Sequence, residues 1–213
     1  MRTQDLVTRL AGDLRFVERN AVARRLNRAL MTGLAGNALL LVALYGIDTD
    51  MPEQMLTLMF WVRLAFPLAT IAAALKLAER LARPGAVLGL AWIAAVIPTV
   101  IMLLVAAAIL FAAPAEYRLR WALGATWVTT TATTVLLSLP SLAAVMQAMR
   151  GLAPTRLVLA GAGAGLLAGA QGLLVHSLYS SDMPVAFWSV WQVLAIAVTA
   201  GIGAGLAPRY LRW

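Results

Sequence analysis

Six apolar runs, each long enough to cross a lipid bilayer, constrain this chain more than anything else in it. They fall at roughly 28–47, 56–78, 86–111, 120–147, 155–179 and 185–206. A bilayer core offers no partner for backbone N–H and C=O groups, so a spanning segment must be a helix or part of a closed barrel. These runs are continuous rather than alternating, and that selects helices. Composition agrees: 62% of the residues are hydrophobic and 12% charged, with a mean hydropathy of +0.85. A soluble domain cannot hide that much apolar surface. The fold class read here is therefore all-α: a polytopic membrane protein with six transmembrane helices. The separators "DTDMPEQ", "KLAERLARPG", "APAEYR", "MRGLAPTR" and "SSDMP" are too short for a further domain. Two parts follow, an N-terminal soluble segment over 1–26 and a six-helix region over 27–213.

Basic residues orient such a chain, because they are retained on the cytoplasmic side. Seven arginines (Arg2, Arg9, Arg15, Arg19, Arg24, Arg25 and Arg28) precede or open the first run. Lys76, Arg80 and Arg83 lie between the second and third runs, Arg150 and Arg156 between the fourth and fifth, and Arg209 and Arg212 at the end. All of these fall on one side, whereas the opposite connections hold Arg118 and Arg120 with the acids Asp48, Asp50, Glu53, Glu116 and Asp182. Both termini are accordingly expected in the cytoplasm, in a bacterial inner membrane. The net charge of +8 reads as an orientation signal, and direct nucleic-acid binding is the weaker reading. "ARRLNRALMTGLAG" faintly suggests a twin-arginine signal, but the run behind it is of membrane length and no small-residue cleavage site follows. The chain has no cysteine, so it offers neither a disulfide nor a thiolate ligand.

The soluble segment carries Leu6, Leu10, Leu14 and Val17 at spacings of four, four and three. Ala11 and Ala21 extend this stripe, and Asp5, Arg9, Arg15 and Arg19 interrupt it with charge. This is one apolar face of a helix about five turns long, marginal in water by itself. Its partner could be the lipid surface, the chain's own loops, or a protein that takes the helix into a groove.

Within the runs, Arg63 stands near the outer end of the second. There it can anchor to headgroups or pair with Asp48, Glu53 or Asp182. His176 is the only histidine. One histidine makes no metal site, and its alternatives are a pH-sensing role or simple capping of helix-end carbonyls. "TWVTTTATT" places Thr126, Thr130, Thr133 and Thr134 on one face, expected at the heart of the bundle. Gly161, Gly165 and Gly169 in the fifth run, and Gly201 and Gly205 in the sixth, form small ridges that suit close helix packing, within one chain or in a homo-oligomer. Trp61, Trp121, Trp188 and Trp213 fall near run ends, as interfacial tryptophans do.

Several motifs together resemble the NrsF-type anti-sigma factors. They are "MFWVRLAF" in the second run, "SLPSLA" in the fourth, "LAPTRLVLAGAGAGLLAGA" entering the fifth, and "FWSVWQ" with "GAGLAPRYLRW" closing the chain. The resemblance implies a six-helix inner-membrane regulator that holds an extracytoplasmic-function sigma factor on its N-terminal segment. Leu6, Leu10, Leu14 and Val17 then become the partner-binding face. It also implies a sensor. Members carry one cysteine three residues after a tryptophan in the fourth helix and another directly after a histidine ending the fifth. This chain has Thr130 and Ser177 at those positions, and hydroxyls can neither form a disulfide nor bind a thiophilic metal. Either it senses something else or the positions were replaced in a way that holds one state.

The competing class is a small transporter or channel. No run contains a buried carboxylate, and no pair of interrupted runs marks a midplane site. An enzyme is weaker still, since one histidine and no intramembrane pair of acids leave nothing for acid–base chemistry. No cofactor is implied.

Overall fold

The computed structural model describes residues 20–47, 51–83, 85, 89–114, 116, 118, 127–179 and 185–212. Among these there is no strand, and six long helices carry the fold. They are α1 (Ala21–Tyr45), α2 (Leu58–Leu81), α3 (Ala91–Ala112), α4 (Trp127–Arg150), α5 (Leu157–Tyr179) and α6 (Val185–Tyr210). A single helical turn, Met51–Gln54, precedes α2. Each long helix has the length and composition to cross a membrane. α1 begins before the first apolar run, so residues 21–26 form its opening turns and the expected 26/27 boundary falls inside it.

Local chemistry sets the helix ends. α1 stops at Gly46, whose φ of 80° suits a residue without a Cβ and whose N–H donates back to Val42 O. Thr57 caps α2, its Oγ1 accepting from Phe60 N at 3.3 Å. Beside it, Trp61 Nε1 donates to Met55 O at 3.1 Å. α3 ends against Arg118, which donates from Nε to Ala113 O and from Nη2 to Phe111 O, both at 3.0 Å. A cation at a helix C-terminus is well placed, and this gives one of the arginines on the more acidic side a local role.

α5 is the axis of the bundle. It packs against α6, α4 and α2 and, less extensively, α1, while α3 lies outside against α2 and α6. Its sequence explains this position, because a helix so rich in glycine and alanine lets neighbouring backbones come close. A Cβ on Gly161 would collide with Gly203 O and Ala207 Cβ, and one on Gly165 with Thr199 O. The fifth-run ridge is thus spent on packing within the chain. The sixth-run expectation needs correction. Gly203 faces the ridge, whereas a Cβ at Gly201 or Gly205 would meet nothing within 4 Å. The crossing phase puts 203 on the inner face, and residues two positions away on a helix point elsewhere.

The interior divides along the membrane normal. An apolar core of Leu26, Ala74, Ala78, Val145, Met149, Ala160, Ala164, Leu167 and Leu211 fills the arginine-rich half. Toward the other half polar residues join the interior: Asn37, Thr70, Thr130, Thr134, Ser138, Ser141, Gln171, His176, Ser177, Ser189, Gln192 and Thr199 lie there or near the middle, beside a smaller apolar cluster of Phe66, Met102, Leu173 and Ile196.

Candidate functional site

The polar seam begins at the outer end of α4. Thr130, Thr134, Ser138 and Ser141 recur at four, four and three residues, which keeps them on one face. Thr134 Oγ1 donates to Thr130 O at 2.9 Å and Ser138 Oγ to Thr134 O at 2.7 Å. The hydroxyls are thereby satisfied within their own helix. Thr130 and Thr134 thus join the buried interior as expected. Thr133 turns instead toward α1, where its Oγ1 lies 3.0 Å from Tyr45 Oη, and Thr126 lies outside the described residues.

Pro140 lies inside the continuous helix α4. A proline removes one amide from the ladder and crowds the preceding turn. At the next residue the N–H of Ser141 donates to Asn37 Oδ1 of α1 at 3.1 Å, and Ser141 Oγ donates to Gln171 Oε1 of α5 at 3.0 Å. Asn37, Ser141 and Gln171 are each fully buried, so one residue beside the proline ties three helices together. The approach is close because Gly33 and Gly36 line this face of α1. A Cβ at Gly33 would come within 2.7 Å of Ser141 Oγ, and one at Gly36 within 2.9 Å of Pro140 Cβ. The Nδ2 of Asn37 and the Nε2 of Gln171 have no partner here, nor do His176 Nδ1 and Gln192 Oε1. Sequence reasoning missed Asn37 and Gln171. The available signal was an uncharged amide standing alone in an otherwise apolar run.

Thr130 and Ser177 are both buried near the outer ends of α4 and α5. Ser177 Oγ donates to Leu173 O at 2.8 Å. α4 and α5 run antiparallel with Ser138 level with Gly172, whose added Cβ would lie 2.9 Å from Ser138 Cα. Thr130 is eight residues beyond that level and Ser177 five, an axial stagger of about 4.5 Å. Tyr45 packs on Tyr179 at 4.8 Å between ring centroids, and Trp127 on Trp191 at 4.7 Å. The two positions therefore sit among aromatic contacts that join α1, α4, α5 and α6.

Other expected residues fall elsewhere. Arg63 is half-buried in the second turn of α2, near its outer end. Its suggested partners Asp48 and Asp182 lie outside the described residues, as do Leu6, Leu10, Leu14 and Val17. His176 is buried on α5 beside Ser177. Among the described residues, no cluster of acids and histidine could hold a metal ion.

At the arginine-rich end, Arg25 Nη1 donates to Gly151 O at 3.2 Å. α1 is thus fastened to α4 at the bottom by Arg25, in the middle by Asn37 and at the top by Tyr45. A family model described as "Negative regulator of sigma F" matches residues 10–213. The chain belongs to the NrsF family. It is 37% identical to a probable anti-sigma-F factor NrsF of Azospira oryzae, with all of both chains covered. It is 33% identical to the anti-sigma-F factor NrsF of Caulobacter vibrioides, again over the whole of both. No solved structure matches it.

Proposed function

We propose that this protein holds a sigma factor of the extracytoplasmic-function class at the inner membrane and releases it on an envelope stress. The observation that carries the reading is likeness over the whole chain to two anti-sigma-F factors. It is supported by six helices of membrane-crossing length and an arginine bias that favours both termini in the cytoplasm. Residues 1–26 act as the capture arm, with Leu6, Leu10, Leu14 and Val17 entering an apolar groove on the partner. Residues 27–213 act as the sensor. Residues 21–26 of the arm form the opening turns of α1, so whatever shifts α1 against α4 moves the point to which the capture face is attached.

The sensing chemistry of this chain is not a thiol switch, because it has no cysteine. Thr130 and Ser177 occupy the sensor positions, and His176 and the unpartnered amides of Asn37 and Gln171 lie along the same seam. The test is co-purification from the native membrane with and without residues 1–26. A sigma factor recovered only with the intact arm supports the reading. Equal recovery without the arm refutes the assignment of the arm, and recovery of none refutes the anti-sigma function.

A further inference from the structure

We propose that the cleft between α4 and α6 binds one anionic phospholipid, taking an acyl chain along its floor and the headgroup at Arg150. Leu139, Leu142, Ala143 and Met146 of α4 and Leu206 and Tyr210 of α6 line a groove of about 280 Å³. Leu142 and Met146 are buried and form the floor, while Leu139, Leu206 and Tyr210 are 43%, 48% and 43% exposed and form the walls. The lining is apolar except for the Tyr210 hydroxyl, so the groove suits a hydrocarbon chain.

Its lower end is charged. The Arg150 guanidinium lies 5.4 Å from the centroid of the Tyr210 ring, a cation–π contact that steadies the side chain without neutralising it. Arg150 is exposed, and no carboxylate among the described residues pairs with it. Arg209 and Arg212 follow on the same end of α6. From Leu139 to Arg150 is eleven residues, or about 16 Å of helix, close to half of the roughly 30 Å hydrocarbon core. An acyl chain of one leaflet spans that length, with its phosphate at the level of the guanidinium. Basic residues at a membrane surface favour anionic lipid by about fivefold each. Charge and length together select a phospholipid over an apolar helix of another protein, which would bring no anion to Arg150.

The experiment is native mass spectrometry of the delipidated full chain with phosphatidylglycerol or phosphatidylcholine. The expected result is one phosphatidylglycerol per chain, retained about fivefold better than phosphatidylcholine. Arg150→Gln lowers that preference and Arg150→Lys keeps most of it. Ala143→Trp fills the groove from an exposed position and lowers retention of both lipids, with helical content unchanged by circular dichroism. Equal retention of the two lipids overturns the proposal, as does an Arg150→Gln protein that binds like its parent. So does displacement by excess inorganic phosphate, which would mean that only a bare anion is read. A dimer that Ala143→Trp splits would identify a second copy of the chain as the occupant and overturn it equally.

Discussion

Replacing Gly165 with alanine adds one methyl group where two backbones touch, and the structure allows its cost to be worked out. The new Cβ would collide with Thr199 O and lie 2.6 Å from Ala200 Cα and 2.9 Å from Thr199 C. All three are main-chain atoms of α6, so no side chain can swing away. Relief requires α5 and α6 to separate, and overpacking of this kind costs about 1–3 kcal/mol. Against it stands the intrinsic preference of a helix for alanine over glycine, about 0.5–1 kcal/mol. The net lies between about zero and a loss of about 2.5 kcal/mol, with a midpoint near 1. Gly201 is the internal control. It lies on the same crossing helix, but a Cβ there meets nothing within 4 Å, so only the propensity term remains and Gly201→Ala should gain about 0.5–1 kcal/mol. Reversible unfolding in mixed micelles, followed by far-ultraviolet circular dichroism, measures both. Opposite signs are expected. A Gly165→Ala protein that gains as much as Gly201→Ala would show that the ridge is not where α5 and α6 meet. A Gly201→Ala loss of similar size would mean that the outward face is covered by something else.

Four further outcomes are expected. Reporter fusions at Trp213 and within the 48–53 connection should report opposite sides of the membrane, and the same side for both would refute the topology. Leu10→Asp or Leu14→Asp should abolish sigma-factor capture in a pull-down while leaving membrane insertion intact, because an ion buried unpaired in an apolar groove costs several kcal/mol; undiminished capture by both would show that the stripe is not the contact surface. Thr130→Cys with Ser177→Cys should give an oxidant-dependent crosslink, read as two fragments held together after cleavage in the α4–α5 connection. The axial stagger of about 4.5 Å puts this pair near the limit of about 7 Å between Cα atoms, so failure to crosslink would exclude a direct intrachain bridge there. Asn37→Leu should lose about 0.6 kcal/mol, and at most about 1.7, with the loss shrinking in a Pro140→Ala background that returns the Ser141 amide to its own helix; an equal loss in both backgrounds would sink the idea that Asn37 serves the amide freed beside the proline.

Most of the architecture was legible because lipid makes the rules strict. A membrane-length apolar run has few alternatives to a helix, so six runs gave six helices, with the fifth placed within two residues at each end and the sixth starting where expected but running four residues further. The first helix was the least legible. Its opening turns, Ala21–Asn27, carry arginines and an asparagine that dilute the apolar signal, yet Leu26 is fully buried in the core. Glycine ridges could be seen but not phased. Spacing says that Gly161, Gly165 and Gly169 share a face, while only the crossing of the two backbones decides that Gly203 rather than Gly201 or Gly205 faces it. The threonine face of α4 was visible as far as Thr134. Its continuation through Ser138 and Ser141, and the amides that meet it from α1 and α5, depend on which helices are neighbours, and periodicity within one helix carries no such information.

The division of the interior bears on how a signal could travel. In the arginine-rich half, main-chain contacts across glycines leave α5 and α6 little room to slide, since small displacements there meet backbone rather than side chains. In the other half the helices are joined by side-chain hydrogen bonds, each worth about 0.6 kcal/mol on average in a membrane, and several donors and acceptors stand unpartnered beside them. Exchanging one such partner for another costs far less than moving a glycine crossing. On the proposed reading the stimulus arrives at this softer half and the sigma factor is held at the stiffer one. α1 is the helix that joins the two, bonded to Thr133 and Ser141 of α4 above and to Gly151 below, and packed only lightly on α2. Gly33 sets α1 directly against the main chain of Ser141, so a rearrangement of the seam at that residue would shift α1 itself, and its opening turns at 21–26 would move with it.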